Sequence, residues 1–308
     1  MTILEDKIKG VLFGQAIGDA LGLGTEFMTK EDIVKHYPQG LTEYSQIIQD
    51  HHRSRWQQGD WTDDTDMMLC IADAIIRDKK VDTTTIAQNF KNWFNGTPLG
   101  IGRHTHMVLF FNDYVKQPQK TAETIWKLTG KKSAANGGIM RTSIIGVCKE
   151  NAEGYAADVC RLTHTDPRCV GSCVIVSLVI QSLLYKNYQP TPQELINIGE
   201  RYDSNIKEHI ELAVQSDGIK DLTLEEDMGY TLKALSAALW SLYHCHNFEE
   251  GLLAVVNAGG DADTNAAVAC SLLGAKYGYS SIPSKYVDGL MQKEKLNQIV
   301  NKLIEVIT

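Results

Sequence analysis

The sequence lacks the marks of several protein classes. Its 308 residues include only 7 prolines, and no stretch rich in proline, glycine or serine suggests a linker between domains. The alternation of apolar and polar residues that is typical of β-strands is scarce. The 7 cysteines are an odd number scattered among apolar residues, which is typical of free thiols rather than a disulfide framework. We therefore predict one all-α domain over residues 1–308, in the reducing environment of the cytoplasm.

Basic charge and membrane segments are also missing. The net charge of −8 argues against a general nucleic-acid-binding protein. The run His-His-Arg-Ser-Arg at 51–55 is interpreted as a solvated loop, with contact to a phosphate as the lesser alternative. Residues 1–7 lack the basic start and apolar run of a signal peptide. The longest apolar stretch, at 173–184, is too short to span a bilayer and predicts a buried helix. We expect neither a nucleic acid nor a membrane as partner.

Helical periodicity is what the sequence has in abundance. Apolar residues recur at helical spacing within 8–17, 68–76 and 232–242. The first of these helices carries a glycine at every fourth position, namely Gly10, Gly14, Gly18 and Gly22. Each glycine inside a helix costs about 1 kcal/mol relative to alanine. The stripe therefore predicts a second helix lying tightly against the first.

Two acidic segments, almost two hundred residues apart, share one chemistry. Residues 61–66 read Trp-Thr-Asp-Asp-Thr-Asp and residues 259–264 read Gly-Gly-Asp-Ala-Asp-Thr, each where a helix is predicted to begin. Capping needs only one such residue per helix. Carboxylates brought this close together repel one another unless a cation compensates, and Mg²⁺ or Mn²⁺ prefers such oxygen ligands. An EF-hand is excluded, because Ala266 and Leu272 replace its required glycine and glutamate. We predict one metal site shared by both segments.

A glycine-rich loop suggests a second binding element. Residues 133–138 read Ser-Ala-Ala-Asn-Gly-Gly and precede a helix that is predicted to begin at Ile139. Such a loop can present N–H groups to a phosphate, although it could equally be a simple turn. His164, just before the long buried helix, would by itself be a structural hydrogen-bonding residue. Asp19 and Glu26, taken singly, predict no more than polar surface.

Five segments, in this order, resemble the ADP-ribosylglycohydrolase family. They are 14–22 (GQAIGDALG), 61–65 (WTDDT), 136–141 (NGGIMR), 163–166 (THTD) and 259–264 (GGDADT). The resemblance extends from about residue 7 to residue 278. It implies a compact, single-domain, multi-helix orthogonal bundle, with a cleft that holds two Mg²⁺ or Mn²⁺ ions.

The resemblance also implies a role for individual residues. The implied metal ligands are Thr62, Asp63, Asp64, Asp261, Asp263 and Thr264. The implied catalytic residues are Glu26, Asp63 and Asp64. The implied substrate-binding residues are Asp19, Gly100, Ile101, Gly102, Ser133, Asn136, Gly137, Gly138, Met140 and His164.

The implied reaction is hydrolysis of the glycosidic bond that joins ADP-ribose to a protein side chain. Arginine is the first expectation for that side chain. Some arginine-directed relatives, however, carry a carboxylate in the loop that reads Leu-Gly-Ile-Gly-Arg at 99–103 here. Serine-linked ADP-ribose and small-molecule conjugates therefore stay open as substrates. A catalytically inactive protein that only binds ADP-ribose is a further alternative.

Overall fold

Helices account for most of the chain in the computed structural model, which describes residues 1–307. Within that range there is no β-strand, and only two isolated β-bridges occur. The helices are α1 Ile3–Gly22, α2 Lys30–His36, α3 Asp63–Asp78, α4 Thr83–Asn95, α5 Arg103–Leu109, α6 Pro118–Leu128, α7 Ala152–Arg161, α8 Pro167–Gln181, α9 Pro192–Gly199, α10 Asn205–Gln215, α11 Thr231–His244, α12 Phe248–Val256, α13 Ala262–Tyr277, α14 Ser284–Gly289 and α15 Lys293–Ile307. The predicted all-α orthogonal bundle is confirmed.

Short 3₁₀-helical and π-helical turns connect several of these helices. The 3₁₀ turns are Tyr44–Gln46, Arg53–Arg55, Tyr114–Lys116, Ile139–Arg141, Ser143–Val147, Ile219–Leu222 and Tyr279–Ser281. One π-helical turn, Ser182–Lys186, extends α8. The predicted helix after the glycine-rich loop is thus two 3₁₀ turns, and the prediction of a regular helix there is wrong.

The first helix begins and ends where its sequence signals lie. Thr2 caps α1 by accepting a hydrogen bond from the Glu5 N–H, and the Glu5 carboxylate accepts one from the Thr2 N–H in return. This capping box satisfies two backbone donors that have no partner inside the helix. The helix ends at Gly22, so the chain turns there and carries Glu26 away from the helix axis.

Helices α1 and α13 form the centre of the molecule and run in opposite directions. Gly10, Gly14, Gly18 and Gly22 face the carbonyl oxygens of Gly274, Cys270, Ala266 and Ala262, respectively. A Cβ on any of these four glycines would overlap the facing backbone. Both helices are therefore in backbone-to-backbone contact, as the glycine stripe predicts.

The remaining helices bury this central pair. Residues from Ala262 to Ala275 of α13 are buried almost without exception, because α8, α11 and α12 pack around it. The helix Pro167–Lys186 is apolar and long enough to cross a bilayer, but most of its residues are buried inside the protein. It is a core helix, as predicted. All 7 cysteines are free thiols.

We predict that Gly14→Ala destabilises the fold. In an ordinary helix this change would stabilise by about 1 kcal/mol, because alanine is the better helix former. Here the new Cβ overlaps the carbonyl of Cys270, so we expect unfolding to become easier by about 3 kcal/mol. Urea denaturation followed by circular dichroism measures the change. Gly218→Ala, whose Cβ would meet only the Lys220 side chain, is the matched control; an equal effect of both changes would contradict the prediction.

Candidate active site

The two acidic segments meet at one cavity, although they are almost two hundred residues apart in sequence. Helix α3 begins at Asp63 and α13 begins at Ala262, and both helix N-termini open on a cavity of about 810 Å³. The positive ends of two helix dipoles therefore point at the same place, which favours carboxylates there. All of the metal ligands implied by the resemblance line this cavity: Thr62, Asp63, Asp64, Asp261, Asp263 and Thr264.

A further carboxylate, Glu26, completes the acidic cluster. Oxygen atoms of Glu26, Asp261 and Asp263 lie within 4.8 Å of one another, a separation that one metal ion could bridge. Glu26 comes from the loop after α1, and the close contact of α1 with α13 brings it to this position. The position agrees with its implied catalytic role.

Burial and mutual repulsion disfavour the charged form of these carboxyl groups. Burial, with the negative charge of Glu26 as the next cause, raises the pKa of Asp63 to about 7. The same two causes raise the pKa of Asp261 to about 6. The pKa values of Asp64 and Asp263 lie well above the usual range, first because both groups are buried and then because neighbouring carboxylates repel them. A bound cation would remove this repulsion.

Two buried carboxylate oxygens in the cluster lack a hydrogen-bond donor. They are Oδ1 of Asp64 and Oδ1 of Asp263, in side chains that are 2% and 4% exposed. A buried oxygen atom without a partner is costly, and a metal ion is one way to satisfy it. The donor set of carboxylates and threonine hydroxyls fits a hard divalent cation such as Mg²⁺ or Mn²⁺.

A short β-bridge joins the loop that carries Glu26 to the loop that carries Asp261. Phe27 N–H donates to the Gly260 carbonyl oxygen at 2.6 Å, and Gly260 N–H donates to the Met28 carbonyl oxygen at 3.0 Å. Gly259 and Gly260 both have positive φ, at 73° and 71°, and a Cβ on either would overlap neighbouring backbone. Glycine is required at both positions for these two reasons. The bridge fixes the distance between Glu26 and the start of α13.

One of the five aspartates in the two segments does not join the cluster. Asp66 accepts a hydrogen bond from the indole N–H of Trp61 at 3.0 Å and another from that of Trp93 at 3.1 Å. On a helix that begins at Asp63, its side chain points away from the cavity. Four of the five aspartates of the two segments therefore lie at the cavity, and Glu26 is the fifth carboxylate there.

Asp19 lies beneath the cavity and does not line it. One carboxylate oxygen accepts hydrogen bonds from Thr62 N–H at 3.0 Å and Thr62 Oγ1–H at 2.9 Å, and the other accepts from Thr65 N–H at 3.0 Å and Thr65 Oγ1–H at 2.6 Å. Its side chain is fully buried, and burial raises its pKa to about 7. The implied contact between Asp19 and substrate is thus corrected. Asp19 orients Thr62 and the start of α3.

The glycine-rich loop forms another wall of the cavity, but some of its polar groups are already engaged. The Asn136 amide donates to Oδ2 of Asp261 at 2.5 Å, and the Ser133 hydroxyl pairs with Nδ1 of His104 at 3.0 Å. Gly137 lines the cavity, whereas Gly138 is buried behind it against Cys160 and Cys173. Gly138 therefore does not line the cavity, and Asn136 connects this loop to the acidic cluster.

The other substrate-binding residues implied by the resemblance do line the cavity. Met140 and His164 lie near the glycine-rich loop, and the segment Gly100, Ile101 and Gly102 lies near Asp63. Gly102 N–H donates to Oδ2 of Asp63 at 3.4 Å.

The buried guanidinium of Arg141 lies near His164 and is connected to it through Thr163. Arg141 is fully buried and donates at 2.6 Å to the Thr163 hydroxyl, which pairs in turn with Nδ1 of His164 at 2.7 Å. Nε2 of His164 has no partner. Burial, with nearby His104 and Arg141 as further causes, holds the pKa of His164 well below its usual range. His164 is therefore a neutral ring with one nitrogen atom free for a ligand.

Comparison with known proteins shows which family the chain belongs to. The sequence profile of the ADP-ribosylglycohydrolases matches residues 1–308. The chain belongs to the ADP-ribosylglycohydrolase family. The predicted family resemblance is confirmed.

Three relatives of this ADP-ribosylglycohydrolase family member, two bacterial and one archaeal, illustrate the similarity. The chain is 28% identical to the ADP-ribosylarginine hydrolase Tri1 of Serratia proteamaculans, over 97% of this chain and 79% of that protein. It is 30% identical to an uncharacterised protein of Archaeoglobus fulgidus, over 98% and 97% of the two chains. It is 27% identical to the ADP-ribosyl-[dinitrogen reductase] glycohydrolase of Rhodospirillum rubrum, over 94% and 92%.

A solved structure shares the fold. It is described as an ADP-ribosylglycohydrolase-related protein complex, and it superposes with a TM-score of 0.75 over 99% of both chains at 24% identity. At that identity the likeness concerns the fold alone.

Some residues of this ADP-ribosylglycohydrolase site gave no clear signal in the sequence. The run 51–55 is only in part a solvated loop: His51 and Ser54 are exposed, but Arg53 is buried, and His52 and Arg55 line the cavity. Gln15 is also buried, and it donates to the carbonyl oxygens of Asp64 at 3.3 Å and Met140 at 2.9 Å. A polar residue inside the glycine stripe of α1 was the available hint for Gln15.

We predict that Asp263→Asn weakens metal binding without damaging the fold. The change removes one anionic ligand, and it also removes repulsion among buried carboxylates. In the presence of a metal chelator, we expect the melting temperature of the variant to rise by about 2 °C, which corresponds to a free energy of unfolding higher by ~1 kcal/mol. We also expect that added Mg²⁺ no longer stabilises the variant. Differential scanning fluorimetry measures both effects. Asp217→Asn, at an exposed position, should behave like the unmodified protein; an unchanged Mg²⁺ response in Asp263→Asn would refute the assignment.

Proposed function

We propose that this protein hydrolyses the glycosidic bond between ADP-ribose and a modified protein side chain, with two Mg²⁺ or Mn²⁺ ions as cofactors. The observation that carries the proposal is the pair of unpartnered carboxylate oxygens on Asp64 and Asp263, in a cavity of about 810 Å³. The glycine-rich loop forms another wall of the same cavity. An acidic metal site and an anion site in one cavity suit a ligand with both a sugar and a pyrophosphate.

The metal ions would be held by the oxygen atoms at the two helix N-termini. The ligands would be Thr62, Asp63, Asp64, Asp261, Asp263 and Thr264, with Asp19 fixing the orientation of Thr62. When bound, the ions would supply positive charge that orients ribose hydroxyls and activates water.

Glu26 is positioned to accept a proton from the attacking water. Oε2 of its carboxylate pairs with Nε2 of His52 at 2.6 Å, which leaves Oε1 for water or for the acidic cluster. A carboxylate here can accept the proton of an attacking water while the bond at the anomeric carbon breaks. Asp63 and Asp64, on the other side of the cluster, orient that water.

The far end of the ligand would lie against the glycine-rich loop. The Thr163 hydroxyl accepts from Arg141 and donates to Nδ1 of His164 in this arrangement, so the ring proton is on Nε2, which has no partner and can donate to a phosphate oxygen atom. Gly137 allows close approach there, since a Cβ would lie 2.8 Å from Cε1 of His164 and 2.9 Å from the Thr105 hydroxyl. The buried charge of Arg141 adds a favourable field for an anion.

Arginine is the first choice for the modified side chain. The relatives named above include an ADP-ribosylarginine hydrolase, which supports this choice. The loop at 99–102 offers no carboxylate to a guanidinium group, so a serine linkage is the second candidate. The macromolecular partner is then an ADP-ribosylated protein.

Incubation with arginine-linked and serine-linked ADP-ribosyl peptides tests the function. With Mg²⁺ in ¹⁸O-labelled water, we expect free ADP-ribose that carries the label on its ribose, because the bond at the anomeric carbon breaks. Mass spectrometry locates the label. AMP with labelled phosphate would instead indicate phosphate chemistry, and binding without any product would indicate an inactive ADP-ribose-binding protein.

We predict that Gly137→Val weakens ADP-ribose binding more than metal binding. The added side chain would displace His164 and Thr105 and block close approach of a phosphate. We expect the inhibition constant of free ADP-ribose to rise about 10-fold, equivalent to ~1.4 kcal/mol, with Mg²⁺ affinity unaltered. Competition in the hydrolysis assay and calorimetric titration of Mg²⁺ provide the two numbers. An unaltered inhibition constant would mean that the loop is only a turn.

A further inference from the structure

The loop that carries Glu26 is anchored by one short segment of the chain, residues 52–55. Within this segment Arg53 is buried, and its guanidinium donates to the carbonyl oxygens of Gly24 at 2.9 Å and Glu26 at 2.5 Å. The side chain of His52 meets the Glu26 carboxylate. Both the main chain and the side chain of Glu26 are therefore held from outside the acidic cluster.

The hydrogen bonds of His52 determine which of its nitrogen atoms carries the proton. Nη2 of Arg55 lies 2.5 Å from Nδ1 of His52. Because a guanidinium can only donate, Nδ1 must accept and carries no proton. The proton of the ring is then on Nε2, which donates to Oε2 of Glu26 at 2.6 Å. This bond fixes the orientation of the Glu26 carboxyl group.

Arg55 also connects this pair to the opposite wall of the cavity. Its Nε donates to the His52 carbonyl oxygen at 3.0 Å, and its Nη1 donates to the Leu99 carbonyl oxygen at 3.2 Å. The guanidinium carbon lies over the Trp56 ring, 4.4 Å from its centre, in a favourable cation–π contact. Leu99 directly precedes the segment 100–102 that touches Asp63. One arginine thus spans from the Glu26 side of the cavity to the Asp63 side.

We propose that His52 and Arg55 are positioning residues for Glu26. Arg55 selects the ring form of His52 that donates from Nε2, and His52 then holds the Glu26 carboxylate by Oε2, turned so that Oε1 is free for the reacting water. This inference rests on the proposed function, because it assigns Glu26 the proton-accepting step.

Kinetics of paired variants test the role of His52. In His52→Leu, which cannot donate, we expect kcat to fall about 10- to 100-fold, part of the gain that a well-placed base supplies, while KM changes less than about 3-fold. In His52→Gln the side-chain amide can still donate to Glu26, so kcat should recover to within about 5-fold of the unmodified protein. His51→Leu, at the exposed neighbouring position, is the matched control and should change neither constant.

Nitrogen NMR of the histidine rings tests the role of Arg55 without any need for turnover. With ¹⁵N-labelled histidine, assigned by the loss of signals in His52→Gln, long-range spectra show which ring nitrogen is protonated. We expect Nε2–H for His52 in the unmodified protein, with and without Mg²⁺. In Arg55→Met we expect a mixture of both ring forms and a fall in kcat of about 3- to 10-fold.

The two measurements separate failure of this inference from failure of the proposed function. If the protein releases no ADP-ribose, the proposed reaction is wrong, and the NMR spectra alone then test this inference. A proton on Nε2 of His52 supports the hydrogen-bond network, and any other ring form of His52 overturns it. If turnover is present, kcat of His52→Leu within about 2-fold of the unmodified protein overturns the inference. So does a loss in His52→Leu that His52→Gln fails to restore.

Discussion

The contact between α1 and α13 is the constraint on which the rest of the structure depends. Four glycines on α1 allow its backbone to lie directly against the carbonyl oxygens of α13. The loop that leaves α1 then reaches the loop that enters α13, and the bridge between Met28 and Gly260 joins them. Any side chain in this contact would move the Glu26 loop away from Asp261 and Asp263. The fold therefore sets the geometry of the acidic cluster through backbone packing.

The acidic cluster concentrates unfavourable electrostatic interactions at one place in the fold. Burial and mutual repulsion raise the pKa values of Asp63, Asp64, Asp261 and Asp263, and two of their oxygen atoms have no donor. A fold tolerates such a cost where a bound cation offsets it. Two helix N-termini hold the acidic side chains in place, and the Asp19 carboxylate fixes Thr62 by accepting hydrogen bonds from its N–H and hydroxyl groups. Asp66, which lies outside the cluster, has both of its carboxylate oxygens paired with tryptophan N–H groups.

The cavity combines two chemically different walls. One is acidic and carries oxygen ligands, and the other carries a glycine-rich loop backed by the buried cation Arg141 and the neutral ring of His164. Asn136 joins them through its hydrogen bond to Asp261. A ligand that bridges sugar and pyrophosphate would contact both walls at once. Binding at one wall would then orient the ligand at the other wall. A ligand that is already oriented reacts faster, because less entropy is lost on the way to the transition state.

The sequence by itself determined the helical class, the close helix contact and the two acidic segments that line the cavity. Those features are local: a period of four in the glycines and clusters of aspartate and threonine at helix starts carry their own physical meaning. Only the tertiary structure decided that Asp66 turns away, that Asp19 supports Thr62 from below, and that His52 and Arg55 reach Glu26. The reason is that a side chain's partner across the fold depends on helix orientation and loop path. Neither is encoded in the spacing of the residues concerned.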